Sequence, residues 1–367
     1  VTLSLKTPGK ILLIANQQIG DVLLSTSLLH DMRLAWPNAI IDVLVFTNTA
    51  GILAGNPDCN HIIEISQRPD KAEHWQLIRQ IFRRYDLAVT TQGNDRAHQY
   101  AFLAAPTRVG LIPDMSRRNL WKRLSCKAWV LLDDVGTHTV AQNAQIATVM
   151  GISAHYESIP PNEVSSANTL DALLDFNWRE EDYAVVHPFP MWRYKRWTDE
   201  GWRALVTHLI ITGKRVVITG GGREEERAYC EELSKLNPEH VISIAGKTSF
   251  AVMSQLLQQA KAYIGPDTAT THLAATCGTP TLALFGPTNP VKWAPWPKGC
   301  KTTRSPWKMV APQQLVGNVL LLQGLGHCVP CHQEGCDQHK ESESRCMNEM
   351  PAGRVIVALE TLLNSPP

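Results

Sequence analysis

The sequence predicts an α/β protein made of two Rossmann-like halves, and three observations lead there. Short apolar runs alternate with longer amphipathic stretches along most of the chain, the pattern of a mostly parallel sheet with helices on both faces. The chain has 367 residues, more than one hydrophobic core usually serves. Between Gly151 and Tyr183 the alternation stops at "ISAHYESIPPNEVSSANTL", where a Pro pair and a Ser/Asn-rich run mark a linker or inter-domain surface, and then it restarts.

Taken in order, "KILLIANQQIGDVLLSTSLLHDMRLAWP" reads as a buried strand from Ile11 to Ala15, a polar turn, and a helix with Val22, Leu23, Leu28 and Leu29 on its apolar side. "IIDVLVFT" and "HIIEIS" are the next strands, followed by the helix "HWQLIRQIFRRY" and the strand "LAVTTQG". The second half opens with the strand "YAVVHP", the helix "EGWRALVTHLIITG", the strand "RVVITGG" and the helix "EEERAYCEELSKL". It continues through "VISIAG", "FAVMSQLLQQA", "AYIGPD" and "THLAATCG" to "TLALFGP", read as its last strand. "AGRVIVALETLLN" is an amphipathic C-terminal helix able to pack on either half. The expected domains are residues 1–165, residues 166–350 and a C-terminal helix over 351–367.

Composition narrows the function classes. Hydrophobic residues make up 44% of the chain, enough for sizeable cores, and the net charge of +1 argues against nucleic-acid binding through an overall field. An anion must therefore be selected by a local site. No stretch approaches the roughly 18 uncharged apolar residues of a membrane span, and "VTLSLKTPGK" lacks the apolar centre of a secretory signal. A cytoplasmic protein is the simplest expectation, with peripheral membrane contact compatible with it.

Two Rossmann-like domains with strand ends facing one cleft describe the GT-B architecture of nucleotide-sugar transferases. A two-domain dehydrogenase is the rival, but its G-x-G-x-x-G fingerprint follows neither first strand, and "TGGGREEE" lacks the spacing. "HPFPMWRYKRW" places Arg193, Lys195 and Arg196 among aromatic rings just after "YAVV". Cations at the carboxyl end of a buried strand face the crevice where such folds bind ligands, so a phosphate is expected there. In "IGPDTATTHLAATCGTPTLALFGPT" a strand delivers Asp267 and Thr268 to its end, and a helix then begins near Thr270. A helix N-terminus binds phosphate through its unpaired amides and dipole. Capping of that helix by Asp267 or Thr268 is the plainer alternative.

Together, "IGPDTATTHLAATCGTPTLALFGPTNP", "KILLIANQQIGDVLLSTSLLHDMR", "HPFPMWRYKRW" with "GWRAL", and "IAGKTSFAVMSQLLQQAKAYIG" resemble glycosyltransferase family nine, the lipopolysaccharide heptosyltransferases. The resemblance covers both domains in order. R-x-K-x-W with "FGPTNPVKWAPW" is most similar to the heptosyltransferase III branch. Ala269 departs from the family pattern, which often has Gly at that point, and is read as tolerated.

The resemblance implies roles residue by residue. Asp21 in "IGDV" matches a carboxylate acting as general base on the acceptor hydroxyl, chemistry a carboxylate within hydrogen-bond reach can do. An N-cap for the Val22 helix is its structural alternative. Lys195 matches the lysine at the nucleotide phosphates, where a fixed cation stabilises charge gained by the leaving diphosphate, and Arg193 adds a bidentate contact. Asp267 matches an acid on the sugar hydroxyls, and Thr268, with Ala269 after it, offers backbone N–H to phosphate. His272 matches a histidine near the phosphates, with a backbone-satisfied core histidine as its rival. The Gly220 to Glu224 loop, with Gly222 and Glu224, is placed near the ribose by its position after a strand. Trp192, Tyr194 and Trp197 are read as packing residues, Trp197 above all.

"SRRNLWKRLSCK" gathers Arg117, Arg118, Lys122, Arg123 and Lys127 in the first domain, where this fold normally holds the acceptor. The strip suits an acidic inner core or an anionic membrane surface, and equally a solvated helix face. Cys328, Cys331, Cys336 and Cys346 fall as C-x2-C-x4-C-x9-C within a segment expected to fold over residues 327–347. Four thiolates suit zinc or an iron–sulfur cluster, and a closed four-ligand shell is structural rather than catalytic.

The expectation is thus an inverting glycosyltransferase that moves heptose from ADP-heptose to the lipopolysaccharide inner core, with no cofactor required for catalysis and no nucleic-acid partner. It is expected to be cytoplasmic, peripheral at the inner face of the inner membrane. Transfer from another nucleotide sugar to a cell-surface glycan, or sugar-nucleotide binding without transfer, are the alternatives.

Overall fold

The computed structural model describes residues 6–163 and 165–365; the first half of the stretch read for a secretory signal lies outside them. Contacts divide the chain into two units. The first runs through Pro161 and takes in Lys301–Ser305; the second runs from Asn162 through Cys300 and resumes at Pro306.

The first unit holds β1 (Lys10–Ile14), β2 (Ile40–Phe46), β3 (His61–Ile65), β4 (Leu87–Thr90), β5 (Thr107–Ile112) and β6 (Ala128–Leu131). They form one sheet in the order β3-β2-β1-β4-β5-β6, parallel throughout. Ile11, Leu12, Leu13 and Ile14 are all buried, which explains the unbroken apolar run of β1: a central parallel strand is covered on both faces. The helix that follows spans Ile19–Ala35 and buries Val22, Leu23, Leu28 and Leu29, as the periodicity predicts. It starts three residues earlier than a helix opening at Val22, so Asp21 sits inside its first turn, where a carboxylate meets the positive end of the dipole, and Gln18 holds the N-cap position.

The second unit holds β7 (Tyr183–Val186), β8 (Arg215–Ile218), β9 (Val241–Ser243), β10 (Ala262–Pro266), β11 (Thr281–Phe285), β12 (Gln313–Val316) and β13 (Val319–Gln323). The sheet order is β12-β13-β11-β10-β7-β8-β9, with β12 alone antiparallel. "TLALFGP" is therefore not the last strand. β13 pairs in parallel with β11, joined to β12 by a hairpin over Gly317 (φ +52°) and Asn318. The helices are locally specified: Thr198 caps Asp199–Ile211 through Gly201 N–H, and Ser249 caps Phe250–Gln259 through Val252 N–H. At Gly201 a Cβ would overlap the Trp197 ring, so only glycine lets that helix sit on the indole.

The C-terminal helix Ala352–Asn364 docks on the second unit. Val355, Ala358, Leu359 and Leu362 enter the same core as Trp202, Leu205 and Leu209, and His208 Nε2 meets Glu360 Oε1 at 2.8 Å. Burying each leucine there contributes about 2 kcal/mol. No helix among the described residues is long and apolar enough to cross a membrane.

Candidate functional site

Three adjacent parallel strands of the second unit, β11, β10 and β7, end on the same edge of the sheet. Their loops carry the chemistry. Lys195 follows β7 in the one-turn 3-10 helix Arg193–Lys195, Asp267 and Thr268 follow β10, and Thr288 follows β11. Lys195 Nζ donates to Asp267 Oδ2 at 2.5 Å, and Thr288 Oγ1 donates to the same oxygen at 2.8 Å. Asp267 is buried, which disfavours its charge, yet the ammonium beside it and these hydrogen bonds hold its carboxyl below the ordinary range. The carboxyl is thus a carboxylate near pH 7, and its contact holds the lysine head in place.

Thr268 caps the helix Ala269–Cys277 by accepting from Thr271 N–H, and Gly278 closes it at φ +88°. Capping and ligand binding do not compete, because the cap occupies one amide while the turn that opens at Ala269 presents others. Thr271 Oγ1 donates to Pro266 O at 2.5 Å, tying that turn to the end of β10. His272 lies one turn on, 4.0 Å from Asp267 Oδ1. Burial pushes its imidazole down to about 4, so it is neutral near pH 7. Its Nδ1 is buried without a hydrogen-bond partner among the described residues, whereas buried polar groups ordinarily have one. An orphaned polar atom beside a fixed ammonium and a helix N-terminus suits an incoming phosphate or sugar hydroxyl.

Other expected residues spread out. Arg193 is half-exposed and paired at 2.5 Å with Glu343. Gly222 and Glu224 are exposed; the buried carboxylate here is Glu226 in the first turn of the helix Glu224–Ser234, which accepts from Gly221 N–H at 2.6 Å. Trp197 is core, donating to Met350 O at 2.8 Å and packing edge-on against Trp202.

In the first unit Asp21 is half-buried near the carboxyl end of β1, and Ser25 Oγ donates to its backbone oxygen at 2.8 Å. The basic strip divides. Lys122 is buried, donating to Gly93 O at 2.7 Å and pairing with Asp95 Oδ1 at 2.7 Å, so it ties loops together inside the unit. Arg123 turns back onto Met115 O at 3.0 Å. Arg117, Arg118 and Lys127 are exposed, alongside exposed Met115, Leu120, Trp121 and Leu124. That apolar company was not anticipated from the charges.

For the cysteines, the Cys346 thiol is pushed up to about 12, by burial first and then by Cys331, Cys328 and Cys336 nearby. Arg345 N–H donates to Cys336 Sγ at 3.4 Å. Yet among the described residues no three His, Cys, Asp or Glu side chains are gathered closely enough to hold a metal ion. The donor set, with Cys328, Cys331 and Cys336 all close enough to raise the Cys346 thiol, suits a thiophilic ion.

Sequence reasoning quoted Thr288 within "FGPTNP" without giving it a role, and passed over Asn16, whose Oδ1 is buried without a partner among the described residues just after β1. Their shared signal is position immediately after a strand.

Residues 74–314 match the family model described as glycosyltransferase family 9 (heptosyltransferase). Lipopolysaccharide heptosyltransferase 3 of Escherichia coli K12 is 28% identical over 287 residues, 76% of this chain and 82% of that protein. The solved E. coli ADP-heptose lps heptosyltransferase II superposes with a TM-score of 0.70 at 21% identity, covering 96% of this chain and 98% of that one. An iron-containing dodecameric glycosyltransferase from enterotoxigenic E. coli, TibC, gives a TM-score of 0.56 at 15% identity over 99% of this chain and 80% of its own. These likenesses establish the GT-B fold expected from the sequence.

Proposed function

The chain belongs to glycosyltransferase family 9, the heptosyltransferases, and from that premise we propose that it moves a heptose from ADP-heptose to a sugar hydroxyl of the lipopolysaccharide inner core with inversion. The observation that carries this reading is the Lys195–Asp267–Thr288 cluster beside the unpartnered His272 Nδ1, at the end of β7, β10 and β11. Lys195 and the helix turn opening at Ala269 receive the diphosphate. As the bond from the anomeric carbon to the phosphate oxygen breaks, its electron pair passes to the leaving ADP, and these fixed positive groups stabilise that charge more than they stabilise the ground state. The acceptor oxygen forms the new bond to the anomeric carbon and gives its proton to Asp21. Arg193 adds charge at the diphosphate, Asp267 contacts the sugar, and Gly222 and Glu224 lie toward the ribose. No step in this route passes through a metal.

On the acceptor side, exposed Arg117 and Arg118 serve an acidic core or an anionic bilayer. Exposed Leu120, Trp121 and Leu124 beside them favour a cytoplasmic protein held peripherally at the inner membrane, since apolar tips with basic flanks bind interfaces. Cys328, Cys331, Cys336 and Cys346 close around a structural ion when one is bound. About one zinc, or about four irons with visible absorbance, in protein purified without air supports that ion; neither, with four titratable thiols, overturns it. The reading as a whole is tested by incubating the purified protein with ADP-heptose and truncated core acceptors. Acceptor-dependent ADP release with gain of one heptose supports it, whereas ADP-heptose binding without transfer favours a binding protein.

A further inference from the structure

The loop that carries Arg193 and Lys195 needs outside support. Its 3-10 turn buries none of its own residues. The support comes from the cysteine-rich segment far along the chain. Arg193 N–H donates to Lys340 O at 3.2 Å, Lys340 Nζ sits 4.4 Å over the Trp192 ring, and Gly335 packs so closely on the Tyr194 side chain that an added Cβ would lie 3.0 Å from it. Arg193 Nη2 donates to Glu343 Oε1, and the other oxygen of Glu343 accepts from Asn348 Nδ2 at 2.8 Å. The same segment holds the neighbouring loop: His332 N–H donates to Pro287 O at 2.9 Å, next to Thr288, which in turn holds Asp267.

We propose that residues 326–350 are a positioning clamp for the donor site, and that Glu343 is the positioning residue that aims the Arg193 guanidinium at the nucleotide diphosphate. A guanidinium on a flexible stem loses rotamer freedom when it binds phosphate, and a carboxylate that already holds one edge of the fork removes much of that cost. The second carboxylate oxygen is itself fixed by Asn348, so Glu343 is a strut rather than a wandering surface partner. The inference rests on the donor-site reading above, because it takes the diphosphate as the ligand of this loop.

The test is ADP and adenosine binding by calorimetry to the full chain, in wild type, Glu343→Gln, Asn348→Ala, Arg193→Ala, Lys195→Ala and the Arg193→Ala/Glu343→Gln double variant. Glu343 and Asn348 are exposed, and matched thermal melts check that the variants are folded. Glu343→Gln is expected to weaken ADP by about threefold to tenfold, with adenosine unchanged and Asn348→Ala giving a smaller loss. In the Arg193→Ala background, Glu343→Gln is expected to cost nothing further. Unchanged ADP binding in Glu343→Gln overturns the clamp while a loss in Lys195→Ala leaves the donor site standing. Equal losses for ADP and adenosine, or the same loss with Arg193 already removed, show a general structural role and also overturn it. If Lys195→Ala and Arg193→Ala both bind ADP normally, the donor-site reading itself fails and takes the clamp with it.

Discussion

The strand ends of the second unit and the basic strip of the first unit arrange their charged groups in opposite ways. At the former, one buried carboxylate holds a lysine and a threonine within hydrogen-bond distance, and a neutral histidine waits with an orphaned nitrogen. At the latter, Arg117, Arg118 and Lys127 stand exposed among apolar side chains, and the one deeply buried cation, Lys122, is spent on internal contacts. A leaving diphosphate rewards fixed geometry, because groups oriented in advance cost no reorganisation as charge develops. A surface that meets a large, variable, membrane-borne acceptor gains more from long-range charge and adaptable side chains. Changes in the first region should therefore act on chemistry, and changes in the second on encounter.

The largest effect separates the two regions most sharply. Lys195→Ala should weaken ADP binding and lower turnover together, by about 100-fold or more in turnover, since it removes a fixed cation from the departing phosphate. Calorimetry and steady-state kinetics check both numbers, and unchanged ADP affinity would place the phosphate elsewhere. Asp21→Asn should lower turnover by about 100-fold with ADP affinity held, because the amide keeps the shape and loses the basicity. Near-normal turnover would remove Asp21 from the role of base.

Acid should sharpen the contrast next. Burial lowers both His272 and His187 in the second unit to about 4, against the ordinary 6.5. Below about pH 6.5 the unfolded chain takes up protons that the folded unit refuses, so stability falls as pH drops toward about 4, by up to about 1.4 kcal/mol per pH unit for each ring. In the first unit the balance is mixed. His98 is lowered by burial, but His30 is raised by its hydrogen bond to Asp58 and Asp31 is raised by burial, and these two favour the folded state as pH falls. Hydrogen exchange from about pH 7 to about pH 5 should show the second unit losing protection first; the reverse order would contradict this assignment of neutral histidines. The smallest effect belongs to the basic strip. Arg117→Ala with Arg118→Ala should cut binding to anionic vesicles by about 30-fold, on roughly 1 kcal/mol per basic residue, and leave ADP affinity alone. Equal binding to neutral and anionic vesicles would remove the electrostatic part of that surface.

Much of this was legible in the residues. Apolar runs of four or five placed the central strands, and the positions of Lys195, Asp267 and Thr268 after strand ends of a parallel sheet could be read from the same runs. The hairpin of β12 and β13 was missed although "VGNV" carries a Gly-Asn turn between two apolar runs, the usual two-residue hairpin signal. The early start of the Ile19–Ala35 helix was hidden because Gln18 makes no side-chain cap, leaving no start signal to read. Thr288, Glu343 and the unpartnered nitrogen of His272 depend on contacts between residues distant in sequence, which spacing does not encode. The division of the basic strip was hidden for a similar reason: a lysine reads the same whether its stem is buried against Asp95 or lies in water.

The central claim is that the second unit's strand ends hold a nucleotide heptose for transfer. Mass analysis of a heptose-deficient and a heptose-bearing core acceptor, each incubated with ADP-heptose and the purified protein, tests it most directly. The account predicts that one acceptor gains a single heptose with matching release of ADP, and that Lys195→Ala abolishes both. Release of ADP without any gain by either acceptor, or full transfer by Lys195→Ala, would contradict it.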